Sequence, residues 1–158
     1  HRFPEYFEKG TKAVEFGSLD INGSARAAFK DPAYYVGIDC HAGPGVDVVG
    51  ICHEFETDEK DIDIVVSTEM LEHDPYWKKT LHKAADLIRP GGLLVFTCAG
   101  PSRPPHNHDD SPVAGYYENR SAQDVEDVLE EICDWDLLET SYDRGVQDLL
   151  VLARKAET

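Results

Sequence analysis

The sequence predicts an α/β fold: a mostly parallel sheet with an antiparallel final strand, packed with helices as a three-layer sandwich. Three observations predict it. Short apolar runs rich in Val and Ile recur as "AVEF" at 13–16, "YYVGI" at 34–38, "VDVVGI" at 46–51, "IDIVVS" at 62–67 and "LLVFTC" at 93–98. They are nearly continuous rather than alternating, as strands buried on both faces of a parallel sheet are. Helical stripes lie between some of them, and strand–helix–strand alternation implies right-handed crossovers. Two later runs, "WDLLETSY" at 135–142 and "DLLVLARK" at 148–155, flank "DRGVQ" and read as an antiparallel pair closing the chain.

Each element has its own signal. The opening "FPEYFEKG" supplies a helical turn or two with Gly10 as its stop, the remnant of an N-terminal cap over residues 1–10. A short helix is expected after Ser24, ending before Asp31–Pro32. Between Asp39 and Val46 stands only "CHAGPG", shorter than the dozen or more residues of a helical crossover, so an irregular loop is expected there. Trp77, Leu81, Ala84, Ala85 and Ile88 share one helical face, and "RPGG" at 89–92 stops that helix. Ser121 with Asp124 marks a capped start, followed by the buried stripe Val125, Val128, Leu129 and Ile132. Residues 101–120 form a long irregular stretch of the kind that becomes a lid or substrate loop.

The 158 residues, 41% of them hydrophobic, suit a single domain over 1–158. Fifteen Lys and Arg against 31 Asp and Glu give a net charge of −16. Such a surface repels phosphate backbones and anionic lipid, so neither nucleic acid nor a membrane is an expected partner. No apolar stretch approaches the roughly 18–20 residues that span a bilayer. The first ten residues do not read as a secretion signal, and a start at His1 leaves room for residues before it. Cys40, Cys52, Cys98 and Cys133 lack C-x-x-C spacing, which argues for reduced thiols in a cytoplasmic protein.

The stretch "VEFGSLDINGS" at 14–24 carries the first chemical signal. Gly17 falls at the carboxyl end of the first strand, where α/β sheets bind ligands. Asp39 ends the second strand 22 positions later, where a carboxylate can accept two hydrogen bonds from a ribose diol. An ordinary turn glycine and a loop-capping aspartate are the plainer alternatives. A nicotinamide ribose would also suit Asp39, but G-x-G-x-x-G is absent and the terminal strand pair is antiparallel.

"DIVVSTEMLEHDPYWKKTLHKAADLIRPGGLLVFTCAG", from Asp63 to Gly100, resembles the second half of a class I S-adenosylmethionine-dependent methyltransferase of the small Rossmann-like type 11 group. The likeness lies in a strand with a polar end, the Leu71-Glu72-His73 turn, a helix, Arg89-Pro90-Gly91-Gly92 and an apolar fifth strand, in that order. It covers residues 12–100, with "EFGSLDINGS" in place of the family's glycine-rich first motif.

The resemblance implies S-adenosyl-L-methionine as cofactor, S-adenosyl-L-homocysteine as product and a small-molecule acceptor. It implies Glu15 near the methionine amino group, with the backbone of Gly17, Ser18 and Leu19 along the methionine portion. Asp39 would hold the ribose, Cys40 or His41 would lie beside the adenine, and Ser67, Thr68 and Glu69 would close the site. The family's acidic adenine contact has no counterpart in Gly50-Ile51-Cys52-His53, which leaves backbone, Cys52 or His53 for that edge. His73 is the expected acid–base residue; a capping or packing histidine is the other reading. His106, His108, Asp109 and Asp110 are metal-ligand types, but such close spacing reads as a solvated loop, so no metal is assigned. The alternative function is a non-catalytic module that binds the same cofactor, or a partner subunit with the same fold.

Overall fold

The computed structural model describes residues 2–106 and 111–157. Seven strands form one sheet: β1 (Lys12–Phe16), β2 (Tyr34–Asp39), β3 (Val48–Val49), β4 (Ile62–Thr68), β5 (Ile88–Ala99), β6 (Trp135–Asp143) and β7 (Asp148–Lys155). Their spatial order is β3-β2-β1-β4-β5-β7-β6. The first five are parallel, and β7 runs antiparallel between β5 and β6. The final strand therefore inserts beside the fifth, as expected for the methyltransferase-like sheet.

Phe16 pairs with Ile38 on one side and Ser67 on the other. This register brings the carboxyl ends of β1, β2 and β4 level, so whatever follows them shares one crevice.

Helices α1 (Trp77–Leu87) and α2 (Ala122–Ile132) cover one face. Their stripes meet Phe16, Ile38, Leu94 and Phe96 in the larger core. Each such side chain buried contributes roughly 1.5–3 kcal/mol. The cap of α2 is the expected one, with the Ser121 hydroxyl accepting from the Asp124 amide at 3.2 Å. On the opposite face, aromatic side chains do the covering. Tyr6 and Phe29, with Phe3, Phe7 and Tyr35 beside them, pack over Ala13, Ile64, Val66 and Leu93. Most come from or beside single 3-10 turns at Pro4–Phe7 and Ala25–Ala28.

Three local expectations are corrected. The helix after Ser24 is only that 3-10 turn, because Asp31 turns to φ 51° and Pro32 follows, ending the segment early. The third run pairs only through Val48–Val49, since Asp47 instead spends its carboxylate on the Gly37 amide at 2.7 Å. Ile88 belongs to β5 rather than to α1. It pairs with Ile62, and the next partners are Ile64 and Leu93, so "RPGG" loops out of the strand as an irregularity. Gly91 there has φ +71°. No helix among the described residues is long and apolar enough to cross a membrane.

Candidate functional site

At the carboxyl ends of β1, β2 and β4 lies a cavity of about 330 Å³. Eight of the residues nominated for cofactor or catalysis line it: Glu15, Gly17, Leu19, Asp39, His41, Thr68, Glu69 and His73. Cys40 and Cys52 line a narrower slot of about 40 Å³, which shares Gly17, Asp39, Met70 and His73 with the first. Ser18 and Ser67 are buried and absent from both walls. His53 turns elsewhere and packs on the Tyr76 ring, 4.9 Å between centroids.

Glu15 is held from three sides. It accepts from the Tyr35 hydroxyl at 2.6 Å, the Ala25 amide at 3.2 Å and the Ser24 hydroxyl at 3.4 Å. Burial nevertheless raises its pKa, because those donors only partly offset the cost of desolvating a carboxylate. Gly17 has φ +72°, and a Cβ there would stand 2.6 Å from the Met70 Cβ. Only glycine fits. The Gly17 and Ser18 amides both donate to the Ile38 carbonyl, at 2.9 and 3.1 Å, so neither N–H faces the cavity as an anion donor.

Asp39 organises the next loop. Its Oδ2 accepts from the Leu19 amide at 3.1 Å and its Oδ1 from the His41 amide at 2.9 Å. Each carboxylate oxygen has a further lone pair for a ligand hydroxyl. The slot beside it is closed by Ile51, Cys52 and Asp74, and burial pushes the Cys52 thiol well up. The slot's walls combine the apolar Ile51, Met70 and Pro112 with the carboxylates of Asp39 and Asp74.

The β4 turn forms the opposite wall. Glu69 sits at φ 54°, an uncommon conformation for a side chain that large, and its amide donates to the Thr97 carbonyl at 2.8 Å. Burial raises the Glu69 carboxyl, and it drives the fully enclosed Glu72 up to about 7. Neither oxygen of Glu72 meets hydrogen-bond geometry with a described residue, although the amides of Glu72 and Ala99 lie close enough to favour its charged form somewhat. His73 follows, 6% exposed, with its Nε2 3.9 Å from Glu72 Oε1. His73, His106 and Tyr117 form a three-ring cluster with centroids 5.1–5.5 Å apart.

Some wall residues had no advance signal. Met70 and Arg103 line the cavity, and Arg103 is tied to Asp148 and to Glu69. Arg120, 3% exposed, donates to the Leu71 carbonyl at 3.2 and 3.1 Å and stacks on Trp77. It fastens the end of the 101–120 stretch to the turn bearing Glu72 and His73. A lone Arg beside a helix start gives no hint of that. His106 lies on the cavity wall, whereas His108, Asp109 and Asp110 fall outside the described residues.

The fold and the crevice together define a Rossmann-like sheet of the class I methyltransferase type. A family model described as a methyltransferase domain matches residues 2–139, and the chain belongs to that family. Solved structures agree on the fold. A Burkholderia thailandensis 1,6-didemethyltoxoflavin-N1-methyltransferase, solved with 1,6-didemethyltoxoflavin and S-adenosylhomocysteine, is similar at TM-score 0.67 and 16% identity. That alignment covers 94% of this chain and 72% of the other. The N-methyltransferase NodS from Bradyrhizobium japonicum WM9 aligns at TM-score 0.66 and 16% identity, over 99% of this chain and 92% of its own. Haemonchus contortus phosphoethanolamine N-methyltransferase 2, in complex with S-adenosyl-L-methionine, aligns at TM-score 0.69 and 12% identity, covering 94% of this chain but 49% of that one. No curated protein matches the sequence.

Proposed function

We propose that this protein transfers a methyl group from S-adenosyl-L-methionine to a small-molecule acceptor. The observation that carries the reading is the pair of carboxylates Glu15 and Asp39 on one cavity wall, either side of a glycine turn that admits no side chain. Glu15 meets the methionine ammonium, Asp39 the ribose hydroxyls, and the Cys40–Cys52 slot takes the adenine. Leu19, Thr68 and Glu69 enclose the methionine arm. Ser18 contributes through the turn it belongs to and Ser67 through its place near the end of β4, whereas His53, packed on Tyr76, lines neither cavity nor slot.

Electrostatics supports the choice of ligand. Glu15, Asp39 and Glu69 outnumber Arg103 on the wall, and Arg103 is already paired. Such a wall favours a sulfonium and an ammonium over a pyrophosphate. The amides of Gly17 and Ser18 are spent on Ile38, which leaves a dinucleotide without its usual phosphate cradle.

Methyl transfer is an in-line displacement at carbon, and alignment of nucleophile, methyl and sulfur supplies much of its acceleration. His73 stands where the acceptor would enter, and we assign it to the acceptor rather than to the cofactor. A second reading, a cofactor-binding subunit without catalysis, draws on the two-residue β3 and the single 3-10 turn between β1 and β2. Calorimetric titration with S-adenosylmethionine, S-adenosylhomocysteine and NAD tests the cofactor. Binding of the first two alone supports the proposal, and binding of NAD alone or of nothing rejects it.

A further inference from the structure

Glu72, His73 and His106 each present a donor atom, and the three atoms lie within 4.8 Å of one another. Two of these residues are buried, Glu72 completely and His73 to 6% exposure. The third arrives from the far loop, 33 positions beyond His73 in the chain. A fully enclosed carboxylate with neither oxygen in a hydrogen bond to a described residue is costly, and proteins normally offset that cost with a partner or a cation. We propose that Glu72, His73 and His106 bind one divalent transition-metal ion of the Zn²⁺ type at the acceptor end of the cavity.

The donor set selects the metal class. Two imidazoles and one carboxylate suit a borderline cation, whereas Mg²⁺ and Ca²⁺ call for oxygen ligands throughout. With metal–ligand bonds of about 2.1 Å, tetrahedral donors stand roughly 3.4 Å apart, so each donor moves inward by less than about 1 Å. The Nδ1 of His106 lies 3.2 Å from both the Pro104 carbonyl, which can only accept, and the Tyr117 hydroxyl, whose oxygen can accept as well. A proton there fixes the tautomer and leaves the Nε2 lone pair for the ion, the usual second partner of a metal-bound imidazole. Tyr117 packs edge-on against both histidine rings and holds them at their spacing.

Three protein ligands leave a coordination position open, and both histidines line the cavity, so that position faces the acceptor. Resting on the cofactor reading above, this narrows the acceptor to a hydroxyl or thiol compound. Binding at the ion lets the O–H or S–H proton pass to solvent at neutral pH. The freed lone pair then forms the new bond to the methyl carbon, and the electrons of the breaking C–S bond return to sulfur, giving the neutral thioether. Asp39, Cys40 and His41 form a second donor cluster, but Asp39 is occupied by two amides and Cys40 Sγ lies 3.1 Å from His41 Nδ1.

The test titrates the chelator-treated whole protein with ZnCl₂ by calorimetry and with CoCl₂ by visible absorption. S-adenosylhomocysteine affinity is measured on the same samples. One ion per chain is expected, with the Kd raised at least about tenfold by Glu72→Gln and by His106→Ala. Both variants should keep their circular dichroism, since Gln removes a buried charge and His106 sits in a loop. Zinc binding insensitive to both variants but lost in Cys40→Ala overturns the proposal. So does the absence of any metal binding in protein that takes up S-adenosylhomocysteine, an outcome that leaves the methyltransferase reading intact. Metal binding sensitive to both variants, without S-adenosylhomocysteine binding, sustains this site and sinks the cofactor reading instead.

Discussion

The Tyr35 hydroxyl donates a 2.6 Å hydrogen bond to the Glu15 carboxylate. The bond reaches between adjacent strands, and Arg26 stacks on the same tyrosine ring at 4.4 Å. A carboxylate 2% exposed is thus held charged-ready at a net cost, since burial raises its pKa despite three donors. In such a group the native state binds a proton more readily than the unfolded chain. Its favourable contribution is whole below the unfolded value near 4.5 and is lost as pH rises through the raised native value. Glu15→Gln should therefore raise the melting temperature at pH 7, and the difference from wild type should shrink towards pH 4. Thermal unfolding at pH 4 to 8 measures it. An unchanged or lowered melting temperature at pH 7 contradicts the desolvation argument. The same variant should weaken S-adenosylmethionine binding by about 1–3 kcal/mol, the loss of a charge-assisted contact.

Asp39 has two tasks that separate by substitution. Asp39→Ala frees the Leu19 and His41 amides and removes the ribose acceptor, so cofactor affinity should fall by about 1–3 kcal/mol and the loop should loosen. Asp39→Asn keeps one acceptor oxygen and should fall between Ala and wild type. Calorimetry ranks the three, and equal affinities would remove Asp39 from the site.

Gly17→Ala places a methyl group against Met70 at 2.6 Å in a backbone conformation that alanine disfavours. Destabilisation should exceed about 1 kcal/mol by urea unfolding, and cofactor binding should fall with it. Adding Met70→Gly should recover part of the stability, the steric part, while the dihedral penalty persists.

Arg120→Ala leaves the Leu71 carbonyl with only the 3.4 Å contact from the Asp74 amide and uncovers Trp77. A cost of about 1–3 kcal/mol is expected, seen as a lower urea midpoint with unchanged slope. Arg120→Lys should not restore it, because one ammonium cannot reproduce the planar fork that also reaches the Tyr116 hydroxyl at 2.8 Å.

His73→Ala should lower the methylation rate while S-adenosylhomocysteine affinity stays near wild type, measured in parallel once an acceptor turns over. Loss of the folded state instead would mark His73 as a packing residue.

What the sequence determined by itself was local and periodic. The quoted runs named β1, β2, β4, β6 and β7 to within a residue at each end, and the first three are apolar along most of their length because a strand buried on both faces must be. The Ser121–Asp124 cap was legible for the same reason, being set by residues three apart. So were Glu15, Gly17 and Asp39, each at the end of a strand whose direction the alternation implied.

Only the tertiary structure decided which distant residues share a wall. His106 stands beside His73, and Arg120 clamps Leu71, through contacts between a loop and a turn that no period or spacing encodes. The "RPGG" stretch kept its turn signal as a bulge, while Ile88 before it and Leu93 after it both pair with β4, and the face expected to carry helices is covered by Tyr6 and Phe29. Short-range patterns report what one segment prefers. Long-range packing selects among those preferences, since burial against a neighbouring element is worth more than the local propensity it overrides.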